Sequence, residues 1–277
     1  MSASPPLVIE QISQALRTTH IGRRIHLFPE IGSTNAEAQA LAQAGAPHGT
    51  MVLAERQTAG RGRLGRTWFS PPGKNLYASV IVRTDGLVIP LQTWLPWVPL
   101  SSALAVAQVV QAVTGLSLQI KWPNDLLRDD RKIGGILCES TIASATDATV
   151  IIGIGLNVNV LPDEFPQDLR PIASSLRMHS TEVIDRNRLL PQLCLAMESG
   201  LDAINRPDLS RVHEAYQAAC GTVGWQVRIL WGNGDELLGH AESIGQDGAL
   251  LVRPWPTQAI PAPQIVAVRA ADVLHVR

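Results

Sequence analysis

Apolar residues recur at helical intervals at Leu7, Val8, Ile12, Ala15 and Leu16, and this spacing predicts one amphipathic helix near the start of the chain. Thr34-Asn35-Ala36-Glu37 reads as a capping box opening an alanine-rich helix that Gly45 ends, which places Gly32 and Ser33 at a helix N-terminus with free N–H groups. Met51 to Ala54 and Leu76 to Val82 read as strands, and Leu100 to Thr114 as a buried helix closed by Gly115. Leu118 to Trp122, Ile133 to Glu139 and Thr149 to Val160 supply further β-rich segments. Helical spacing returns over Asp185 to Asn205 and Asp208 to Ala219, with an aspartate at each start and Gly221 just past the end. Beyond Gly221 the texture changes. Short apolar runs (Val227 to Trp231, Ala249 to Val252, Ile265 to Val268) alternate with Gly232-Asn233-Gly234-Asp235 and Asp247-Gly248, which are hairpin signals and predict a small β-barrel.

Composition narrows the class. A chain of 277 residues is long for one core and suggests a large domain with a small one. A formal net charge of −1 argues against a surface that coats nucleic acid. The cysteines (Cys138, Cys194, Cys220) are odd in number and lack C-x-x-C spacing, so reduced thiols acting as core filler in a cytoplasmic protein are expected. Pro5-Pro6 and the lack of a basic region before an apolar run speak against a signal peptide. The most apolar stretch, Leu100 to Val113, reads as too short for a membrane span and carries Ser101, Ser102, Gln108 and Gln111. The seven histidines show no metal-ligand spacing, so no metal site is expected in the protein itself.

The chemistry concentrates in Gly60-Arg61-Gly62-Arg63-Leu64-Gly65-Arg66-Thr67-Trp68. Glycine lets backbone N–H groups approach a ligand closely, and each guanidinium offers a fixed fork of donors for phosphate or carboxylate oxygens, so the loop is built to wrap a small anion. The stretch also matches G-x-G-x-x-G, but Arg66-Thr67-Trp68-Phe69-Ser70-Pro71-Pro72-Gly73 cannot open the helix that a dinucleotide fold needs there. No H-R-D or D-F-G element supports a kinase. A solvated basic turn is the plain alternative. Two further constellations accompany it. In Lys121-Trp122-Pro123-Asn124-Asp125 a lysine ends a strand before a proline-fixed turn, suited to meeting a phosphoryl oxygen, while Asn124 and Asp125 fit either a turn or polar contacts. In Gly153-Ile154-Gly155-Leu156-Asn157-Val158-Asn159 the glycines leave room on a strand and Asn157 is suited to a base edge; a bulge would explain the glycines equally.

In this order and spacing the segments resemble the biotin protein ligase family: Gly32 to Asn35, Gln57 to Trp68, Lys121 to Asp125, Lys132 to Leu137 and Gly153 to Asn159 carry the resemblance, from about Phe28 to the C-terminus. It implies an α+β fold: a mixed sheet flanked by helices, similar to class II aminoacyl-tRNA synthetases, over residues 28–220. A short N-terminal segment (1–27) would precede it, without the DNA-binding domain of repressor-type members, and an SH3-like barrel (221–277) would follow. The implied activity is that of an ATP-dependent ligase forming an amide bond. Biotin and ATP give biotinyl-5′-AMP and pyrophosphate, with Mg2+ accompanying ATP; biotin then passes to a lysine of a biotin carboxyl carrier protein, an acetyl-CoA carboxylase subunit. Homodimerisation occurs in the family and stays open for this chain. Such a site gathers two anionic reactants, and Arg61, Arg63, Arg66 and Lys121 would offset their repulsion. By resemblance Lys121, Arg63 and Arg61 are the catalytic set. Ser33, Thr34, Asn35, Gln57, Arg61, Gly62, Arg63, Lys121, Gly134 and Gly135 would hold biotin, and Arg61, Arg63, Arg66, Trp68, Asn75, Lys121 and Asn157 would hold ATP and the adenylate. Asp125 would at most orient the incoming amine.

A lipoate or octanoate ligase would share the fold and the adenylate chemistry, but the full arginine loop followed by Lys-Trp-Pro-Asn-Asp favours biotin. A DNA-binding repressor lacks a reading domain in this sequence, and an RNA-binding module built on Arg-Gly repeats would need a basic surface.

Overall fold

Strand register explains the architecture of the computed structural model, which describes residues 4–256, 263–269 and 271–276. Seven strands form the first sheet: β1 (Ile25–Phe28), β2 (Met51–Ala54), β3 (Leu76–Arg83), β4 (Gln119–Lys121), β5 (Asp125–Arg128), β6 (Arg131–Ile142) and β7 (Ala148–Leu156). Their order is β1-β2-β3-β7-β6-β5-β4, with β1 and β2 parallel and every other pair antiparallel, which makes the sheet mixed. Side chains alternate between faces. Met51, Leu53, Val80, Val82, Val150 and Ile152 join the main core, whereas Val52, Ile81 and Ile151 meet Ala38 and Ala42 of a helix on the opposite face.

The helices are α1 (Ile9–Ala15), α2 (Thr34–Gln43), α3 (Leu91–Trp94), α4 (Trp97–Thr114), α5 (Arg186–Ile204) and α6 (Ser210–Ala219). Helix α4 starts earlier than its apolar run suggested and reaches 18 residues with a mean hydropathy of 1.3, long and apolar enough to cross a membrane. It is 67% buried inside the protein, where it packs on α5 as a core helix; Gly115 stops it at φ 74°. Two further helix starts differ from expectation. The cap of α2 is Ser33, with no side-chain cap bond, because the Thr34 amide and hydroxyl turn to Gln57 instead of closing a capping box. Helix α6 begins at Ser210, whose amide is met by Asp208 at 2.9 Å. Cys194 and Cys220 are buried, Cys138 is half-buried, and all three are free thiols.

Residues ahead of β2 are bound into this body rather than hanging from it. Leu7, Ile12, Leu16 and Ile21 are buried, and β1 pairs with β2. Arg186 is wholly buried and donates to Glu55 Oε2 at 2.6 Å and to the Pro5 carbonyl at 2.7 Å, while the Leu7 amide donates to Glu55 Oε1 at 2.7 Å. A charge placed there is tolerable because both terminal nitrogens of Arg186 donate, to Glu55 and to the Asn75 and Pro5 carbonyls, although its buried Nε finds no partner among the described residues. Strand β1 was not legible beforehand; all four of its residues are half-buried and carry no clean alternation.

The second sheet is antiparallel throughout: β8 (Gln226–Leu230), β9 (Glu236–Ile244), β10 (Leu250–Pro254), β11 (Val266–Val268) and β12 (Asp272–His275), in the order β11-β10-β9-β8-β12. The two glycine-rich turns fall between β8 and β9 and between β9 and β10. Part of the expected barrel, residues 257–262, 270 and 277, lies outside the described residues. The two sheets share one continuous core, and the indoles of Trp97 and Trp122 donate to the carbonyls of Gln246 and Gly248, each at 3.1 Å.

Candidate functional site

Register builds the floor of the site. Lys121, Asp125, Gly135, Gly155 and Tyr77 lie opposite one another across successive strands, and Leu137, Gly153 and Ser79 form the next row on the same face. The glycines in these rows are stripped of side chain for a purpose. A Cβ on Gly153 would stand 2.1 Å from Asn35 Oδ1, and one on Gly155 would stand 2.6 Å from Trp68 Cε2, so the space goes first to the protein's own Asn35 and Trp68. Gly134 points to the other face, where a Cβ would meet Leu126 at 3.0 Å, and it drops out of the expected lining.

Above this floor opens a cavity of about 520 Å3. Ser33, Thr34, Asn35, Gln57, Arg61 and Gly62 line it, as do Arg63, Arg66, Trp68, Lys121, Gly135 and Asn157, so all but two of the sequence-derived candidates converge. Asn75 is the second exception. Fully buried, it donates to Asn157 Oδ1 at 3.1 Å and accepts from the Val158 amide at 2.9 Å, so it props Asn157 from behind. Asn157 in turn donates to the Ser174 carbonyl at 3.0 Å.

One end of the cavity is polar and neutral. Gln57 Oε1 accepts from the Thr34 amide at 2.8 Å and from its hydroxyl at 3.1 Å, and Gln57 Nε2 donates to Ser70 Oγ at 3.1 Å. The Ser79 hydroxyl, invisible as a candidate in the sequence, lies 2.8 Å from Thr34 Oγ1 and 2.6 Å from Asn35 Oδ1. Both Asn35 and Ser79 are buried, and so many satisfied partners fix their orientation.

The other end is cationic. The loop closes on itself through Gly62 N to the Arg66 carbonyl at 2.7 Å and Trp68 N to the Gly60 carbonyl at 2.9 Å, with Leu64 at φ 55° on its tip. Arg63 donates to Asn124 Oδ1 at 3.1 Å and to the Ala271 carbonyl at 3.2 Å, and Arg66 pairs with Asp272. Lys132 Nζ sits 2.6 Å from Asp125 and 5.3 Å from the Trp68 ring centroid. Burial pushes the Lys121 ammonium below its usual value, Asp125 opposes the shift and Lys132 adds to it; among the described residues the ammonium makes no hydrogen bond or ion pair, while Asp125 is taken by Lys132. The Trp68 indole N–H is likewise buried without a partner among the described residues. Phe165, Leu169, Ile172 and Ala173 supply an apolar wall, tied to β6 by the Lys132 amide donating to the Ile172 carbonyl at 2.8 Å. The sequence hinted at Lys132 only as part of a strand and gave no signal for Asp272 or this wall.

Residues 27–157 match the family model of the biotin/lipoate A/B protein ligase family. A biotin–[acetyl-CoA-carboxylase] ligase of Mycobacterium tuberculosis is 33% identical over 278 residues, covering 99% of this chain and 97% of that protein. The chain belongs to the biotin protein ligase family. Its relatives include the bifunctional ligase/repressor BirA of Bacillus spizizenii, 37% identical over 87% of this chain and 73% of that protein. In fold it matches the biotin protein ligase of Aquifex aeolicus solved with biotin and ATP, with a TM-score of 0.76 and 24% identity, over 92% of this chain and 100% of that one. The biotin protein ligase fold therefore accounts for both sheets.

Proposed function

We propose that this chain is an ATP-dependent biotin–protein ligase, and the observation that carries the reading is the cavity's polarity: five cationic side chains (Arg61, Arg63, Arg66, Lys121, Lys132) outnumber the three carboxylates (Asp125, Asp130, Asp272) in a space that also holds an uncharged hydrogen-bonding pair, Thr34 and Gln57. In the first step an oxygen of the biotin carboxylate attacks the α-phosphorus of ATP, the bond to the bridging β-oxygen breaks, and pyrophosphate leaves with that electron pair. Carboxylate and polyphosphate repel each other, and charge-assisted contacts from these cations offset the repulsion by roughly 1.5–3 kcal/mol each. Lys121, desolvated and with no hydrogen bond or ion pair to its ammonium among the described residues, is the cation best placed to gain from an anion. In the second step the neutral ε-amine of a carrier lysine attacks the acyl carbon, the acyl–oxygen bond of the mixed anhydride breaks, AMP departs with that electron pair, and the amine's proton passes to the departing phosphate or to water. Asp125 is occupied by Lys132 and is assigned no role as a base.

Ser33, Thr34 and Gln57 face the ureido head of biotin in this reading, Gly135 leaves space for its rings, and Trp68 and Asn157 border the adenine beside the wall of Phe165 and Ala173. Mg2+ enters on the phosphates of ATP. No group of three or more His, Cys, Asp or Glu side chains suited to a metal occurs among the described residues, so the ion is assigned no protein cage. The protein partner is a biotin carboxyl carrier domain, and a homodimer formed along a free edge of the first sheet is the second partner to be tested, by light scattering with and without biotinyl-AMP. The reaction belongs to the cytoplasm, where ATP and carrier meet.

The deciding assay is ATP–pyrophosphate exchange with biotin, lipoate or octanoate offered singly, followed by transfer of label to a carrier domain. Exchange with biotin alone is expected; exchange with lipoate but not biotin would sink the reading.

A further inference from the structure

Register places Gly135, Leu137 and Glu139 on one face of β6; the cavity reaches the first two and stops short of Glu139. Glu139 nevertheless holds two of its lining residues at once. Its Oε2 accepts from Asn35 Nδ2 at 2.7 Å and from Arg61 Nη2 at 3.1 Å. From Asn35 the contacts continue: the Ser79 hydroxyl lies 2.6 Å from Asn35 Oδ1 and 2.8 Å from Thr34 Oγ1, and the Thr34 amide donates to Gln57 Oε1 at 2.8 Å. Gln57 Nε2 then donates to Ser70 Oγ at 3.1 Å, and Ser70 donates to the Trp68 carbonyl at 3.1 Å. Arg61 opens the arginine loop and Trp68 closes it, with Arg61 bridged to Thr67 between them. Glu139 thus completes a ring of contacts that leaves the loop at one end, passes beneath the polar end of the cavity and returns to the loop at the other.

We propose that Glu139 is a positioning residue that latches the arginine loop over the cavity, so that retention of the acyl-adenylate depends on a carboxylate that never touches it. This rests on the ligase reading above. The latch is an ordinary one in strength: both side chains are partly exposed, 46% for Arg61 and 38% for Glu139, which suits a loop that must open to admit substrate and carrier. The alternative is that Glu139 merely holds Asn35 at the start of α2, with Arg61 resting on it at no consequence.

The two roles separate by variant. Glu139→Gln keeps an acceptor for Asn35 and removes the charge partner of Arg61, whereas Glu139→Ala removes both. Enzyme loaded with radiolabelled biotinyl-AMP should lose it about fivefold faster in Glu139→Gln, the scale of one exposed ion pair, and label bystander lysines correspondingly more. The melting temperature should stay within about 2 °C of wild type. Trypsin should also cut the unliganded variant faster after Arg61, Arg63 or Arg66, a readout that needs no activity. Wild-type release and wild-type cleavage in Glu139→Gln would overturn the latch, as would a Glu139→Ala whose only changes are a lower melting temperature and a higher KM for biotin. Wild-type protein showing no biotin-dependent exchange would overturn the ligase reading first and the latch with it; exchange without a release phenotype overturns the latch alone.

Discussion

The Trp68 indole lies directly over Gly155, where an added Cβ would come within 2.6 Å of Cε2 and 2.8 Å of Nε1. The ring has no slack on that side. Gly155→Ala must displace it, and overpacking of this kind costs about 1–3 kcal/mol. Because Trp68 borders the adenine side of the proposed site, KM for ATP should rise about tenfold while KM for biotin changes little. Steady-state pyrophosphate exchange reads both, and equal rises in the two constants would place Trp68 elsewhere.

Lys121→Ala should slow adenylate formation by about a hundredfold or more and leave equilibrium binding of biotin less affected, since the cation is needed most where charge develops. Lys132→Ala provides the contrast, because it also frees Asp125 and uncovers one side of the Trp68 ring. Single-turnover rates and biotin titration calorimetry measure the two effects. A wild-type rate in Lys121→Ala would remove that residue from the chemistry and leave Lys132 as the lysine that matters.

The second sheet reaches the site at the start of β12, where Asp272 pairs with Arg66 and the carbonyl of the preceding Ala271 receives Arg63. We expect Asp272→Asn to raise KM for ATP about threefold, the value of one partly exposed pair, with KM for the carrier unchanged. A shift in the carrier constant alone would instead assign this surface to docking.

Acid should loosen the N-terminal segment. Burial pushes the Glu198 carboxyl up, but amides donated by Thr19, Ile21 and His20 outweigh it and hold the group below its usual 4.5. A depressed folded value means stability that is present above the unfolded value and lost as pH falls through the folded one. Glu198→Gln should therefore cost about 1 kcal/mol at pH 7, after allowing for solvent screening, and nothing well below pH 4. Chemical denaturation at the two pH values checks this; an equal loss at both would mean the amides, not the charge, carry the effect.

What the sequence revealed and what it hid divide along a physical line. The arginine loop, the Lys121 turn and the paired glycines of β7 are local, and their chemistry is written in consecutive residues. The partners of those groups are not. Lys132 meets Asp125 only because β5 and β6 pair in one register, and Asp272 meets Arg66 only because β12 returns beside β8. Asn75 looked like a ligand contact and is a buried prop, since an amide in a polar motif reads the same whether it faces a base or a neighbouring asparagine. The capping box at Thr34 gave way because Gln57, distant in sequence, outcompeted the local cap.

The bonds of Trp97 and Trp122 to the turn at Gln246 and Gly248 make the chain indivisible in practice. The Trp122 amide also donates to Thr222 Oγ1 at 3.0 Å, so the residue next to Lys121 is suspended between the two sheets. A fragment cut near residue 220 would strand those indole donors, bare the shared core and let the lysine hairpin swing. Heat should accordingly melt both sheets in a single calorimetric peak, and a shortened enzyme is a poor starting point for engineering.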